Sequence, residues 1–230
     1  MSVELDFAHE LADAADAISL PRFGASDLRV EQKWNNTPVT DADRGVEEAL
    51  RTMIAERRPG EGVWGEEFGS DSDDILWVID PIDGTKNFVR GIPVWATLIA
   101  LARDDELVLG VVSAPALGRR WWAARGEGAY CNGAAIHVST VSQLADAAVS
   151  VALASDLAAL EDVARHVRGF GDFWQHMLVA EGALDAAIDY SLEVWDYAAL
   201  IPIVEEAGGW AGESESGVFV TSNGLLQLPG

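Results

Sequence analysis

Apolar positions along this chain change period several times, and each change marks an element. Over residues 3–20 they recur at Leu5, Ala8, Leu11, Ala12, Ala15 and Ile18, which predicts a helix ended by Pro21. Thr40-Asp41-Ala42-Asp43 predicts an N-capped second helix, with Val46, Leu50, Met53 and Ile54 on its buried side and a stop at Arg57-Arg58-Pro59-Gly60. Residues 28–33 and Val63-Trp64 predict short strands. The run Ile75-Leu76-Trp77-Val78-Ile79 predicts a strand buried on both faces. Residues 94–101 and 107–114 predict a hairpin around Arg103-Asp104-Asp105-Glu106, and 120–125 a further strand. Beyond that the pattern alternates: a strand at 148–153, helices at 156–168 and 173–182, a strand at 185–189 and a helix at 195–207. Gly208-Gly209 stops the last helix, and Pro202 either kinks it or marks its first turns.

Polar groups at the ends of these elements carry the chemistry. Directly after the Ile75–Ile79 run come Asp80-Pro81-Ile82-Asp83-Gly84-Thr85, where Pro81 and Gly84 predict a sharp turn. Carboxylates at the end of a buried strand are costly unless something offsets their desolvation, and a divalent cation does so. Gly84 lets a ligand approach the backbone, and Thr85 adds a hydroxyl beside it. Asp43 lies in the first turn of a helix, Glu66 follows a strand, and Asp196 opens the last helix. An oxygen-rich set without cysteine or histidine suits Mg²⁺ or Mn²⁺ better than zinc. Taken singly, each acid has a plainer reading: helix cap, solvated loop or turn cap. Only their convergence makes a site.

Charge narrows the partners. The chain carries 38 acids against 15 bases, a formal net charge of −23, and this disfavours nucleic acid and anionic membranes. A phosphorylated metabolite then needs local positive charge, which bound cations supply. No apolar stretch reaches the ~18 residues of a membrane span. The acidic N-terminus argues against a signal peptide, and the single cysteine, Cys131, allows no internal disulfide; together these predict a cytoplasmic protein. His9, His137, His166 and His176 show no catalytic spacing.

Three segments agree in residue type, order and spacing with one family: Trp64-Gly65-Glu66-Glu67, then Trp77-Val78-Ile79-Asp80-Pro81-Ile82-Asp83-Gly84-Thr85, then Val194-Trp195-Asp196-Tyr197-Ala198-Ala199 with Glu206-Ala207-Gly208-Gly209. The chain resembles the inositol monophosphatase superfamily over essentially its whole length. Within it, Pro38–Arg44, Arg90–Ala96, Arg120–Gly126, Gly171-Asp172-Phe173 and Val179–Ala183 resemble the actinobacterial type of histidinol-phosphate phosphatase. The resemblance implies a single phosphatase domain over 1–230 in the α/β class, a layered αβαβα sandwich. Its α+β half spans about 1–130 and its α/β half about 131–230. It also implies two or three Mg²⁺ per site and a homodimer. Glu66, Asp80 and the Ile82 carbonyl resemble ligands of one cation, and Asp80, Asp83 and Asp196 those of a second. Asp43 resembles an acid holding waters or a weaker third cation, and Gly84 and Thr85 a phosphate-binding turn. Glu66 with Thr85 would take the proton of the attacking water. Gly171, Asp172, Glu181, Asp189 and Glu193 are candidate partners of the substrate alcohol. The implied reaction is hydrolysis of a small phosphate monoester, L-histidinol phosphate first, with an inositol or sugar phosphate as the alternative. Asn35 stands where relatives often carry an aspartate, which predicts a weakened third cation.

Overall fold

The computed structural model describes residues 2–34, 36–71, 74–152, 160, 163–213 and 218–227. Helices α1 (Val3–Arg22) and α2 (Asp41–Arg57) form where the 3.6-residue stripes predict them, and the short strands β1 (Val30–Gln32) and β2 (Pro38–Thr40) pair between them. Pro21 is tolerated inside the last turn of α1. Thr40 caps α2 through a full capping box: its hydroxyl accepts from the Ala42 and Asp43 N–H groups, and the Asp43 carboxylate accepts the Thr40 N–H.

The large sheet contains β3 (Gly62–Gly65), β4 (Gly69–Ser70), β5 (Ile75–Asp83), β6 (Ala96–Arg103), β7 (Glu106–Ala114), β8 (Arg119–Ala124), β9 (Gly128–Cys131) and β10 (Ala134–Ala135). Their order is β10-β9-β8-β7-β6-β5-β3-β4, antiparallel except for the parallel β3–β5 pair. Asp104 and Asp105, both at positive φ, turn the β6–β7 hairpin. Short helix α3 (Thr85–Arg90) follows β5. The second sheet contains β11 (Ala148–Val151), β12 (His166–Arg168), β13 (Ala186–Asp189), β14 (Trp210–Glu213) and β15 (Phe219–Ser222), in the order β12-β11-β13-β15-β14. Helices α4 (Asp172–Ala180), α5 (Val194–Tyr197) and α6 (Leu200–Glu206) complete the described chain.

Strand alternation explains the layers. On β5, Trp77 and Ile79 face one way, joining Leu5, Leu11, Val46 and Leu50 of α1 and α2. Val78 faces the other way, where Leu98, Val112 and Trp121 meet Phe173, Met177, Ile203 and Val204 of α4 and α6. Phe219 and Ala211 of the second sheet close the far side of that same core. Leu160 and Ala164 pack with Val149, Val151 and Ala186. Helices, sheet, helices and sheet thus stack in layers, and both sheets bury apolar strands. No described helix is long and apolar enough to cross a membrane.

Four expectations change. Strand β5 runs on through Pro81 to Asp83, and the turn comes at Gly84, whose φ is 82°. Residues 166–168 are a strand, because β11 offers them a parallel edge; most of the rest of the predicted 156–168 helix lies outside the described residues. The predicted 195–207 helix is two helices, with Pro202 in the first turn of α6, where its missing N–H costs nothing. Strands β14 and β15 were unpredicted: short and partly polar, they are strands because they pair with each other and β15 pairs with β13.

Candidate active site

Asp80 and Asp83 are three residues apart, so a regular strand would point them to opposite faces. The β5–β6 register shifts between them: Asp80 pairs with Leu98 and Asp83 with Ala96, three steps on β5 against two on β6. The extra residue is a bulge, a position where proline is tolerated, and Pro81 lies in it with its carbonyl accepting the Thr97 hydroxyl at 2.8 Å. The bulge brings both acids to one cavity of about 790 Å³, whose wall also includes Glu66, Ile82, Gly84, Thr85 and Asp196.

Oxygens of Asp80, Asp83 and Asp196 lie within 4.8 Å of one another. Each acid gives one oxygen to a backbone N–H: Ile82 to Asp80 at 2.9 Å, Phe173 to Asp83 at 2.6 Å, and Glu193 to Asp196 at 2.7 Å. Among the described residues, none of the three meets a basic side chain within ion-pair distance. Burial, followed by repulsion from neighbouring carboxylates, pushes Asp80 and Asp83 well above the ordinary carboxylate range. Burial likewise lifts Asp196 to about 7, against the opposing hydrogen bond from Glu193. Three hard oxygen donors that repel one another fit a divalent cation, which reverses this cost.

Glu66 lines the same cavity, but its carboxylate is ion-paired with Lys33 at 2.6 Å, and Lys33 also meets Glu67 at 2.6 Å. The turn that carries Glu66 is held from below by Glu47, a fully buried acid on α2. Glu47 accepts the Glu67 N–H at 2.7 Å and the Phe68 N–H at 3.1 Å, and pairs with Arg51. Gly65 is required here: a Cβ on it would sit 2.1 Å from the Glu47 carboxylate. Burial raises Glu67 to about 7. Sequence reasoning missed Glu47, although a glutamate directly after Val46 on the buried side of α2 was a signal.

Asp43 is buried behind the cavity wall, and burial lifts it to about 6. Its carboxylate oxygen lies 3.3 Å from the Thr85 hydroxyl, which also lies 2.9 Å from the Ile82 carbonyl. The Thr85 hydroxyl thus sits between the Ile82 carbonyl and Asp43, on the cavity that Glu66 also lines. Asn35, which bears on the third cation, lies outside the described residues.

At the opposite wall, Gly171, Asp172, Asp189 and Glu193 line the cavity. Asp172 reaches across to Asn87, whose amide donates to it at 3.0 Å. Burial, followed by the Asp189 charge, raises Asp172. Asp189 accepts from the Gln175 amide at 2.8 Å and the Tyr190 N–H at 2.8 Å. His176, buried on α4, also lines the cavity and bonds Thr221 at 2.9 Å. Glu181 stands apart from the other candidates. It ends α4, away from the cavity wall, where Arg119 and the Trp121 indole donate to its carboxylate. Glu181 is thereby committed to the core beside β8.

The inositol monophosphatase family model matches residues 1–225. A histidinol-phosphatase of Mycobacterium tuberculosis is 49% identical, covering 97% of this chain and 94% of that protein. One from Streptomyces coelicolor is 48% identical over 90% and 85%. Among solved structures, a Thermotoga maritima IMPase superposes with a TM-score of 0.89 at 32% identity, covering 97% and 93%. The extragenic suppressor protein suhB of Bartonella henselae gives 0.90 at 27%, covering 97% and 95%.

Proposed function

The chain belongs to the inositol monophosphatase family, and from that premise we propose that it is a Mg²⁺-dependent phosphatase of L-histidinol phosphate. The observation that carries the reaction class is the set Asp80, Asp83 and Asp196, opening with Gly84 and Thr85 into one cavity. Those three acids, with Glu66 and the Ile82 carbonyl, would hold the cations. Mn²⁺ suits the same donors. When bound, the cations neutralise phosphate charge and make hydroxide available near neutral pH.

The chain's own residues do the rest. Thr85 accepts a proton from the attacking water and passes its own to Asp43, which lies within reach behind it. Glu66, paired with Lys33 here, would have to leave that pair to reach a cation, and Lys33 lines the cavity wall where it would meet the phosphate. Gly84, without a side chain, leaves room beside Thr85 for the phosphate oxygens. Asp172 and Asp189 face the alcohol, and Glu193 borders it at the rim. An amine and an imidazole suit this acidic wall; a neutral polyol gains less from it. The 49% and 48% identities to histidinol-phosphatases favour the same substrate. We also infer a cytoplasmic protein that acts on a small metabolite as a homodimer; light scattering of the purified protein would check the dimer.

Turnover of L-histidinol phosphate and myo-inositol 1-phosphate, compared with Mg²⁺ present, tests the substrate. A higher kcat/KM for the histidinol ester is expected. A clear preference for the inositol ester overturns the assignment and leaves a broad sugar-phosphate phosphatase.

A further inference from the structure

Behind the acidic wall lies a buried polar chain that the reaction itself does not use. Ser150 on β11 and Gln175 and His176 on α4 are essentially inaccessible to solvent. The Ser150 hydroxyl donates to Gln175 Oε1 at 2.7 Å, and Gln175 Nε2 donates to Asp189 Oδ2 at 2.8 Å. Gln175 Oε1 also receives the Gly171 N–H at 3.4 Å, while Ser150 Oγ receives the Phe170 N–H at 3.2 Å. One amide therefore ties together the end of β13, which carries Asp189, and the glycine that precedes Asp172. Asp189 has a second constraint, since its Oδ1 accepts the Tyr190 N–H. His176 Nε2 is 3.9 Å from Asp189 Oδ2, too far for a hydrogen bond, so Gln175 is the side chain that fixes that oxygen.

An amide is the neutral side chain suited to this place. Its carbonyl end takes a hydroxyl and its NH₂ end gives to a carboxylate, without adding charge beside Asp172 and Asp189. A glutamate would set a third acid against them, and an apolar residue would leave Ser150 and Asp189 without their partner. We propose that Gln175 is a positioning residue for substrate selection: by holding Asp189, and through Gly171 the approach to Asp172, it keeps the two-acid wall in register with a cationic alcohol. This rests on the reading that Asp172 and Asp189 face that alcohol.

The test compares wild type, Gln175→Met, Asp189→Asn and the double variant on L-histidinol phosphate and on p-nitrophenyl phosphate, whose leaving alcohol has no amine. Gln175→Met should raise KM for the histidinol ester about tenfold with kcat within about twofold, the size of one hydrogen bond to a charged group. Its kcat/KM should fall at least about fivefold more for that ester than for p-nitrophenyl phosphate. In the Asp189→Asn background the Gln175 effect should vanish, because the two act as a unit. Parallel losses on both esters, or additive effects in the double variant, overturn the proposal. Should Gln175→Met fail to fold, Ser150→Ala decides, with a smaller KM rise in the same direction expected and no change overturning it. If wild type prefers an inositol ester, the substrate assignment fails, and the same double-variant cycle on that ester still decides whether Gln175 acts through Asp189.

Discussion

Several acids in this molecule carry two roles at once. Asp43 and Asp196 each close a capping box at the start of a helix, and each also reaches the site. A local reading sees the cap alone, which explains why the single-residue reading was ambiguous. Asp80 caps no helix and is almost fully buried among four other acids, Glu66, Asp83, Asp196 and Asp43. Asp80→Asn should lower Mg²⁺-dependent phosphate release by ~10²–10³-fold, as measured by inorganic phosphate, since it removes charge that the cations need. The pH response follows from Asp196. Its folded-state pKa, about 7, lies above the unfolded value, so the folded chain binds more protons between the two. Stability of the metal-free protein should therefore be fullest near pH 4 and fall as pH rises through 7. Thermal melts with chelator across pH 4–8 check this, and added Mg²⁺ should raise Tm more at pH 8 than at pH 5. A metal-free Tm that rises steadily from pH 4 to 7 would contradict the assignment.

Elements reach the site because a few glycines let them touch. On β7, a Cβ at Gly110 would lie 2.1 Å from the Ala199 carbonyl, so the junction of α5 and α6 rests directly on the large sheet. That contact seats the helix bearing Asp196. Gly110→Ala should destabilise the fold by ~1–3 kcal/mol, as overpacking does, and should also raise the Mg²⁺ concentration for half-maximal activity. Chemical denaturation and a Mg²⁺ titration measure the two effects. A variant that loses stability alone would show that the junction does not set Asp196. Most helices and core strands were legible as periodicity, since α1, α2 and the Ile75–Ile79 run bury wide apolar faces. Strands β12, β14 and β15 were not, because they are short and partly polar and become strands only by pairing into the second sheet. The bulge at Pro81 was equally hidden, since it is defined by a register against β6.

At the scale of the whole molecule, 38 acids face 15 bases, and part of that excess is gathered around one cavity. The metal-free fold works against its own repulsion. Raising salt from about 20 to 200 mM should screen exposed charges and raise Tm by a few degrees at pH 8. A falling Tm would mean that ion pairs such as Arg120 with Asp13 and Asp16 outweigh the repulsion. The layering explains how segments at 43, 66, 80–85 and 196 meet. Strands β3 and β5 run parallel, and β3 ends opposite Ile79, just before Asp80; α2 delivers Asp43 behind Thr85, and α5 packs Asp196 over β5.

From the sequence by itself follow the family, the reaction class and the acids proposed to carry it, because motif order and residue type survive without coordinates. The tertiary structure alone decided which acids share a cavity. It joined Thr85 to Asp43, put Glu66 on Lys33, withdrew Glu181 to Arg119 and placed Gln175 behind Asp189. Three of these four contacts join residues 33 to 62 positions apart, and the fourth spans 14. No local pattern encodes such pairings, because distance through space is set by how layers stack.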